Sequence, residues 1–393
     1  MSRILLSLAL FSTFVYGASF DDLTPYTLGF IANRTFPGAQ LSVISSGGVV
    51  HYQKVFGNLT YPGDPFSTPV TDDTLYDIAS LSKVVATTSC AMKLYEQGLL
   101  GLDDLWVKYV PEANNNGKGA ITIRNLLLHN AGFTEDYPFD ATYDNVDRQG
   151  LMDWVCTTSL IYPVGTKYIY SDVSMVALQM VIERITRQTL YSYAKANIFE
   201  PLGMTSTQYI PSKYSSCAPA TAAPNYRKQI IRCVVHDPTA WILGGVSGNA
   251  GVFTNHLDLQ LFMTMMLQKG AYKAPSGSQQ RMFQQSTVEL FTTAPQNLPY
   301  LNSRALGWDT IPNQYPSPCG QKFTPGQSFG HTGYTGTTLW GDFARDIAFI
   351  AITNRVYPDD GLTVPTKTGI SWYRNNLANT IVDIITSPSE FLE

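Results

Sequence analysis

Ser80 and Lys83 stand three residues apart in "YDIASLSKVVATT" (76–88). A serine hydroxyl is a weak nucleophile until a neighbouring group takes its proton. Residues at i and i+3 share one helix face, with Cβ atoms about 5–6 Å apart, so a lysine there reaches the hydroxyl. The extended run "TLYDIA" precedes the pair and a helical pattern follows it. A helix start leaves backbone N–H groups unpaired, and these can stabilise an oxyanion. The chemistry this predicts is acyl transfer through an ester on Ser80. The spacing alone is a short pattern that chance supplies in a chain of 393 residues, and it recurs at Ser192 and Lys195. There, inside "TLYSYAKANIFEPLG", both residues read as solvent-facing helix positions.

Two further clusters follow in the chain. Tyr170, Ser171 and Asp172 lie in "GTKYIYSDVS", directly before the clearest helical periodicity. His331, Thr332 and Gly333 lie in "SFGHTGYTGTTLW", read as just before a strand. The order S-x-x-K, Y-x-D, H-T-G resembles the three-motif signature of serine β-lactamases and penicillin-binding proteins. It is most similar to the class C group of β-lactamases, D,D-peptidases, D-aminopeptidases and related esterases, whose pattern is S-x-x-K, Y-x-N, [KH]-[TS]-G. The blocks "ITIRNLLLHNAGF", "YSDVSMVALQMVIERITRQTL" and "HDPTAWILGGVSGNAGVFT" extend the resemblance over about residues 25 to 385.

The resemblance implies roles at matching positions. Ser80 would be the acylated nucleophile, Lys83 would hold its proton network, and Tyr170 would share general base and acid work with Lys83. The backbone N–H groups of Ser80 and Tyr334 would form the oxyanion hole. His331, Thr332 and Gly333 would line the far wall, with His331 and Thr332 binding a substrate carboxylate or polar group. Two departures weigh against penicillin-type recognition. His331 stands where β-lactamases usually carry lysine, and a histidine is only partly charged at pH 7. Asp172 replaces asparagine at a substrate-binding position; an ionised carboxylate accepts hydrogen bonds but cannot donate them. It favours a cation, either Lys83 or a substrate amine.

Other residues read more plainly. "GVSGNAGVF" is a tight turn near the cleft, and His129 in "LLLHNAG" is a packing histidine. His236-Asp237 has no G-x-S-x-G elbow to complete a serine triad. With no CxxC or HExxH among five cysteines and five scattered histidines, neither a metal nor an organic cofactor is expected. Cys217 and Cys233 flank a Pro- and Ala-rich loop and are the expected disulfide; Cys90 reads as a packed thiol, and the pairing of Cys156 and Cys319 stays open. Asn33 and Asn58 head N-x-[ST] sequons for an exported chain.

The elements that must position these groups lie at both ends of the chain. "GAQLSVISSGGVVHYQKVFG" is a hairpin signal, and "RALGWDT", "TGTTLWGD" and "IAFIAITNR" are late β segments. Helical patterns cover about 20–34, most of 102–210, 255–293 with a break at "KAPSGS", and 370–385. The expected fold is α/β of the α+β kind: one antiparallel sheet flanked by helices, with a helical lobe of about 100–300 inserted. Residues 1–17 read as a signal peptide, with Arg3 ahead of the apolar run Ile4–Val15 and cleavage after Gly17, leaving a domain of 18–393. No later run is long enough to span a bilayer. Net charge is −4 with no basic run, which excludes nucleic acid as a natural partner. The expected protein is a secreted serine hydrolase for a small-molecule or peptide acyl substrate: a D-amino-acid peptide, a muropeptide or a small ester. The alternative is a binding or scaffold protein that keeps the fold without catalysis, which labelling of Ser80 by a reactive ester would separate.

Overall fold

The computed structural model describes residues 19–387 except 139–145, 213–215, 222–226, 228, 296–297, 299–302, 312–318 and 359–368. The expected signal peptide lies outside the described residues. In chain order, the elements that matter for the site are α1 (Leu23–Ala32), β1 (Gly38–Ile44), β2 (Val50–Gly57), β3 (Tyr76–Asp77), α2 (Ser89–Glu96) and α3 (Asp172–Thr186). They continue with β4 (Gln208–Tyr209), α4 (Pro238–Ile242), β5 (Val252–Thr254), α5 (His256–Leu267), β6 (Asp309–Thr310), β7 (Ser328–Thr332), β8 (Thr338–Asp342), β9 (Ile347–Thr353) and α6 (Gly369–Thr386).

Six strands form one antiparallel sheet in the order β6-β7-β8-β9-β1-β2. The first hairpin of the chain thus pairs with its last strands, Leu41 opposite Ala351. Strand side chains alternate between faces, and β1 and β9 are buried on both. Ala39, Leu41, Val43, Phe349 and Ala351 pack against α1 and α6, with Tyr373 and Leu377. The other face of β9 carries Ala348, Ile350 and Ile352 into the larger core with Phe262 and Met266 of α5. On that face of β1, Ser42 and Gln40 meet His256 at the start of α5: Ser42 Oγ is 2.9 Å from its Nδ1, and Gln40 Oε1 accepts from its backbone N–H.

Two expectations need correction. "KAPSGS" is the turn of a short hairpin, Ala271–Lys273 with Gln279–Arg281, rather than a break between helices. Gly277 supplies the positive φ (+86°) that closes it. His331 and Thr332 lie at the end of β7 rather than before a strand. The glycines around them hid the strand pattern; Gly330 is required because a Cβ there would sit 2.2 Å from the Trp340 ring on β8.

Asn33 is exposed at the end of α1. Asn58 is half-buried and donates to Ser67 Oγ. Cys217 and Cys233 form a disulfide, and Cys90, Cys156 and Cys319 are buried. Among the described residues no helix is long and apolar enough to cross a membrane.

Candidate active site

Ser80 stands between a short strand and a helix. β3 pairs with β5, and Ile78 N–H continues the ladder onto Val252 O. Ala79 takes a left-handed φ of +48°, costly for a residue with a Cβ. Asp77 holds it there, accepting from Ala79 N–H (2.9 Å) and from His236 N–H (2.7 Å). The chain then turns at once into a π-helical segment, Lys83–Thr88, that leads into α2. Lys83 is 0% exposed, and its Nζ has three oxygen neighbours: Ser80 Oγ at 2.9 Å, Asn249 O at 2.8 Å and Asp172 Oδ1 at 2.7 Å.

Tyr170 and Asp172 come from the N-terminus of α3. Ser171 caps this helix by accepting from Ser174 N–H, and its own hydroxyl donates to Thr134 O. His129 packs its ring 4.8 Å from the Tyr170 ring and contacts Ser171 through Nδ1. Tyr170 Oη is buried and makes no well-formed hydrogen bond among the described residues. Lys83 Nζ lies 5.0 Å from the Tyr170 ring centre. Asn249 Nδ2 bridges Asp172 Oδ2 and Asp237 Oδ1, at 3.0 Å each. The residue thus joins two carboxylates through its side chain and Lys83 through its backbone. Sequence reasoning read its segment only as a turn.

The turn between β7 and β8 is fastened to the strand that delivers the nucleophile. Thr335 Oγ1 donates to Asp77 O and Thr337 Oγ1 to Ile78 O, at 2.7 and 2.9 Å. Tyr334 sits on this turn. Its ring stacks on His236, and Arg355 lies over it at 4.6 Å. Ser80, Tyr170, His331, Thr332, Gly333 and Tyr334 line one open cleft of about 600 Å³. The control pair is elsewhere: Ser192 is bonded to Thr189, and Lys195 lies 3.7 Å from Glu200.

His331 differs from its expected role as a part-time cation. It is 1% exposed, with Nδ1 2.7 Å from Thr332 O and Nε2 2.9 Å from Arg304 Nη1. Only a neutral ring can donate at the first contact and accept at the second. Burial, then Arg304 and Lys83, push it well below the usual histidine range. The same causes act on His129. The permanent cation at this wall is Arg304, which pairs with Asp309 at 2.9 Å, donates to Tyr168 Oη and lies 4.8 Å from the Tyr170 ring centre. Its sequence signal was a lone arginine in the apolar segment "RALGWDT" of a chain with only 14% charged residues.

The cleft is electrically polarised. Arg304, Arg355 and Arg374 line it on the sheet and α6 side. Across Lys83, Asp136, Asp172 and Asp237 bring carboxylate oxygens within 4.8 Å of one another. Burial, then the neighbouring Asp172 and Asp237 charges, push the Asp136 carboxyl up to about 8. Burial and Asp172 push Asp237 up to about 6. A hydroxyl at a helix start, a buried ammonium, a tyrosine hydroxyl and a strand edge in one cleft are the parts needed to form and hydrolyse an acyl-enzyme.

The chain belongs to the beta-lactamase family, whose model matches residues 27–367. It is 32% identical over 362 residues to an Escherichia coli protein provisionally named a D-alanyl-D-alanine carboxypeptidase, covering 84% of this chain and 81% of that one. Among solved structures, a D-alanine carboxypeptidase of Burkholderia cenocepacia is similar with a TM-score of 0.67 at 21% identity, covering 90% of this chain and 97% of that one. A class C β-lactamase of Rhodobacter sphaeroides is similar with a TM-score of 0.68 at 19% identity, covering 93% and 99%. The fold is β-lactamase/transpeptidase-like, and the protein is a β-lactamase-related serine hydrolase.

Proposed function

We propose that the protein is an exported carboxypeptidase-type hydrolase that releases a carboxylate-bearing D-amino acid from a peptide through an acyl-enzyme on Ser80. One observation carries this reading. Arg374 of α6 lines the cleft and donates to Gly333 O and Thr337 O at the β7–β8 turn, its Nε has no partner, and none of the described carboxylates pairs with it. Burial, then Arg355, lower its guanidinium to about 9, which leaves it charged at neutral pH. An unneutralised cation beside the Thr332–Gly333 strand end suits the free carboxylate of a leaving amino acid. The relatives' names agree with this class of substrate. Export is supported by the apolar leader of the sequence and by the Cys217–Cys233 disulfide, since such bonds persist in oxidising compartments.

The test compares kcat/KM for an acyl-D-Ala-D-Ala peptide and for its C-terminal amide. The acid should be preferred at least tenfold, and Arg374→Gln should remove most of the preference. Equal rates on the two substrates would sink the carboxypeptidase reading and favour a simple esterase. Export is tested separately, by the mass of the N-terminus of protein recovered outside the cytoplasm.

A further inference from the structure

We propose that Asp77 is a positioning residue for the oxyanion hole: its three oxygens tie the turn that presents Ser80 to the turn that presents Tyr334. The inference rests on acylation of Ser80 with the Ser80 and Tyr334 N–H groups as oxyanion donors, and it is independent of which substrate is cleaved.

Each oxygen of Asp77 has its own donor. Oδ1 accepts from Ala79 N–H at 2.9 Å, Oδ2 from His236 N–H at 2.7 Å, and the backbone oxygen from Thr335 Oγ1 at 2.7 Å. The first contact acts on Ser80. Ala79 precedes it in the chain, and its left-handed φ of +48° sets the direction of the Ser80 N–H. A residue with a Cβ keeps that conformation only where its surroundings enforce it. The other two contacts act on Tyr334. Thr335 is the next residue, and the His236 ring stacks on the Tyr334 ring with centroids 5.5 Å apart. The two turns also touch directly, since a Cβ on Gly333 would lie 3.4 Å from Ala79 Cβ. Both donors of the hole are thus held in register through one aspartate.

The residue type carries the argument further. Asp77 is 7% exposed, and burying a carboxylate costs desolvation that a neutral side chain avoids. Burial pushes its carboxyl up to about 6, against which the two N–H groups and then the Arg227 charge act, so it is ionised at pH 8. What the charge provides is an acceptor at both ends of the group. An asparagine has one acceptor and one donor. In either flip its NH₂ would face one of the two backbone N–H groups, and one turn would lose its anchor. The exchange removes a buried charge, so the fold should bear it better than catalysis does.

The experiment uses an uncharged p-nitrophenyl ester and its thiono counterpart, with C=S in place of C=O, at pH 8. Sulfur is a weaker hydrogen-bond acceptor than oxygen, so an intact oxyanion hole favours the oxo ester. The ratio of the two kcat/KM values, divided by the same ratio for hydroxide, reads the hole apart from the nucleophile. The wild-type value should be about tenfold or more. In Asp77→Asn it should fall at least fivefold, with kcat on the oxo ester down by about 10–10²-fold, KM little changed and a thermal melt close to wild type. Asp258→Asn is the control: this buried carboxylate also accepts from a backbone N–H, that of Ser206, and does not line the cleft. Its ratio should match wild type. A wild-type value near one would mean that the hole does not act as described and overturns the proposal together with its premise. A wild-type preference that Asp77→Asn leaves intact overturns the proposal alone, with the acyl-enzyme reading standing. Should Asp77→Asn not fold, Thr335→Val removes the hydroxyl that donates to Asp77 O. It should lower the ratio at least threefold, and an unchanged ratio there overturns the proposal equally.

Discussion

Replacing Gly333 by alanine tests whether the β7–β8 turn sets the catalytic geometry. A Cβ at this position would lie 2.1 Å from Thr337 Oγ1 and 2.5 Å from Ile78 O. The Thr337 hydroxyl is itself bonded to Ile78 O, so it cannot swing away without giving up that contact. Ordinary van der Waals contact requires the turn and the β3 exit to separate by about 1 Å, and a displacement of that size at a reacting centre costs about 10²-fold in rate. The Tyr334 N–H rides on this turn; losing one oxyanion donor costs about 2.7–4 kcal/mol, or 10²–10³ in kcat. The overpacking itself should destabilise the protein by about 1–3 kcal/mol, within a total of about 5–15. Gly333→Ala should therefore remain folded at 25 °C and lose two to three orders of magnitude in kcat on a p-nitrophenyl ester, with KM little changed. Gly47→Ala is the control, because its nearest neighbour is Val49 Cγ2 at 3.9 Å. A folded Gly333→Ala protein within fivefold of wild-type kcat would refute the idea that this turn positions the oxyanion donor.

Ser80→Ala should abolish turnover at a stability cost of about 0.5–2 kcal/mol, the range for losing a helix N-terminal serine; Ser192→Ala should leave the rate unchanged, and steady-state kinetics with thermal melts read both. His331→Lys should not create a penicillin-acylating enzyme, because it places a second buried cation against Arg304; a loss of about 3–5 kcal/mol in urea unfolding is expected. His331→Gln keeps an acceptor for Arg304. At His331 the native state binds fewer protons than the unfolded chain below about pH 6.5, so the titration of this residue destabilises the fold on acidification, and urea midpoints between pH 5 and 7 should fall less steeply, or rise more, in the glutamine variant than in the wild type. Replacing Cys217 and Cys233 by serine opens a link with a sequence separation of 16, which loop entropy values at about 3 kcal/mol; an unchanged melting temperature would show that the bond contributes nothing.

Local pattern was enough to read the frame. The β1–β2 hairpin, the helix after Tyr170 and the late strands follow from side-chain periods of 2 and 3.6, which depend on near neighbours alone. The Ser80–Lys83 spacing likewise fixed their contact, because three residues along one helix turn bring the two side chains together whatever the rest of the chain does. The charge states were a different matter. Lys83 meets Asn249 across 166 residues, Arg304 reaches Tyr168 across 136, and the same Arg304 meets His331 across 27. No local pattern records such meetings. Whether a histidine is a cation or a neutral acceptor, and whether a lysine is a base or a fixed charge, depends on which groups surround it at a few ångströms without water. Electrostatic interaction grows as the solvent is excluded, and only the folded chain decides what is excluded and what is left facing what.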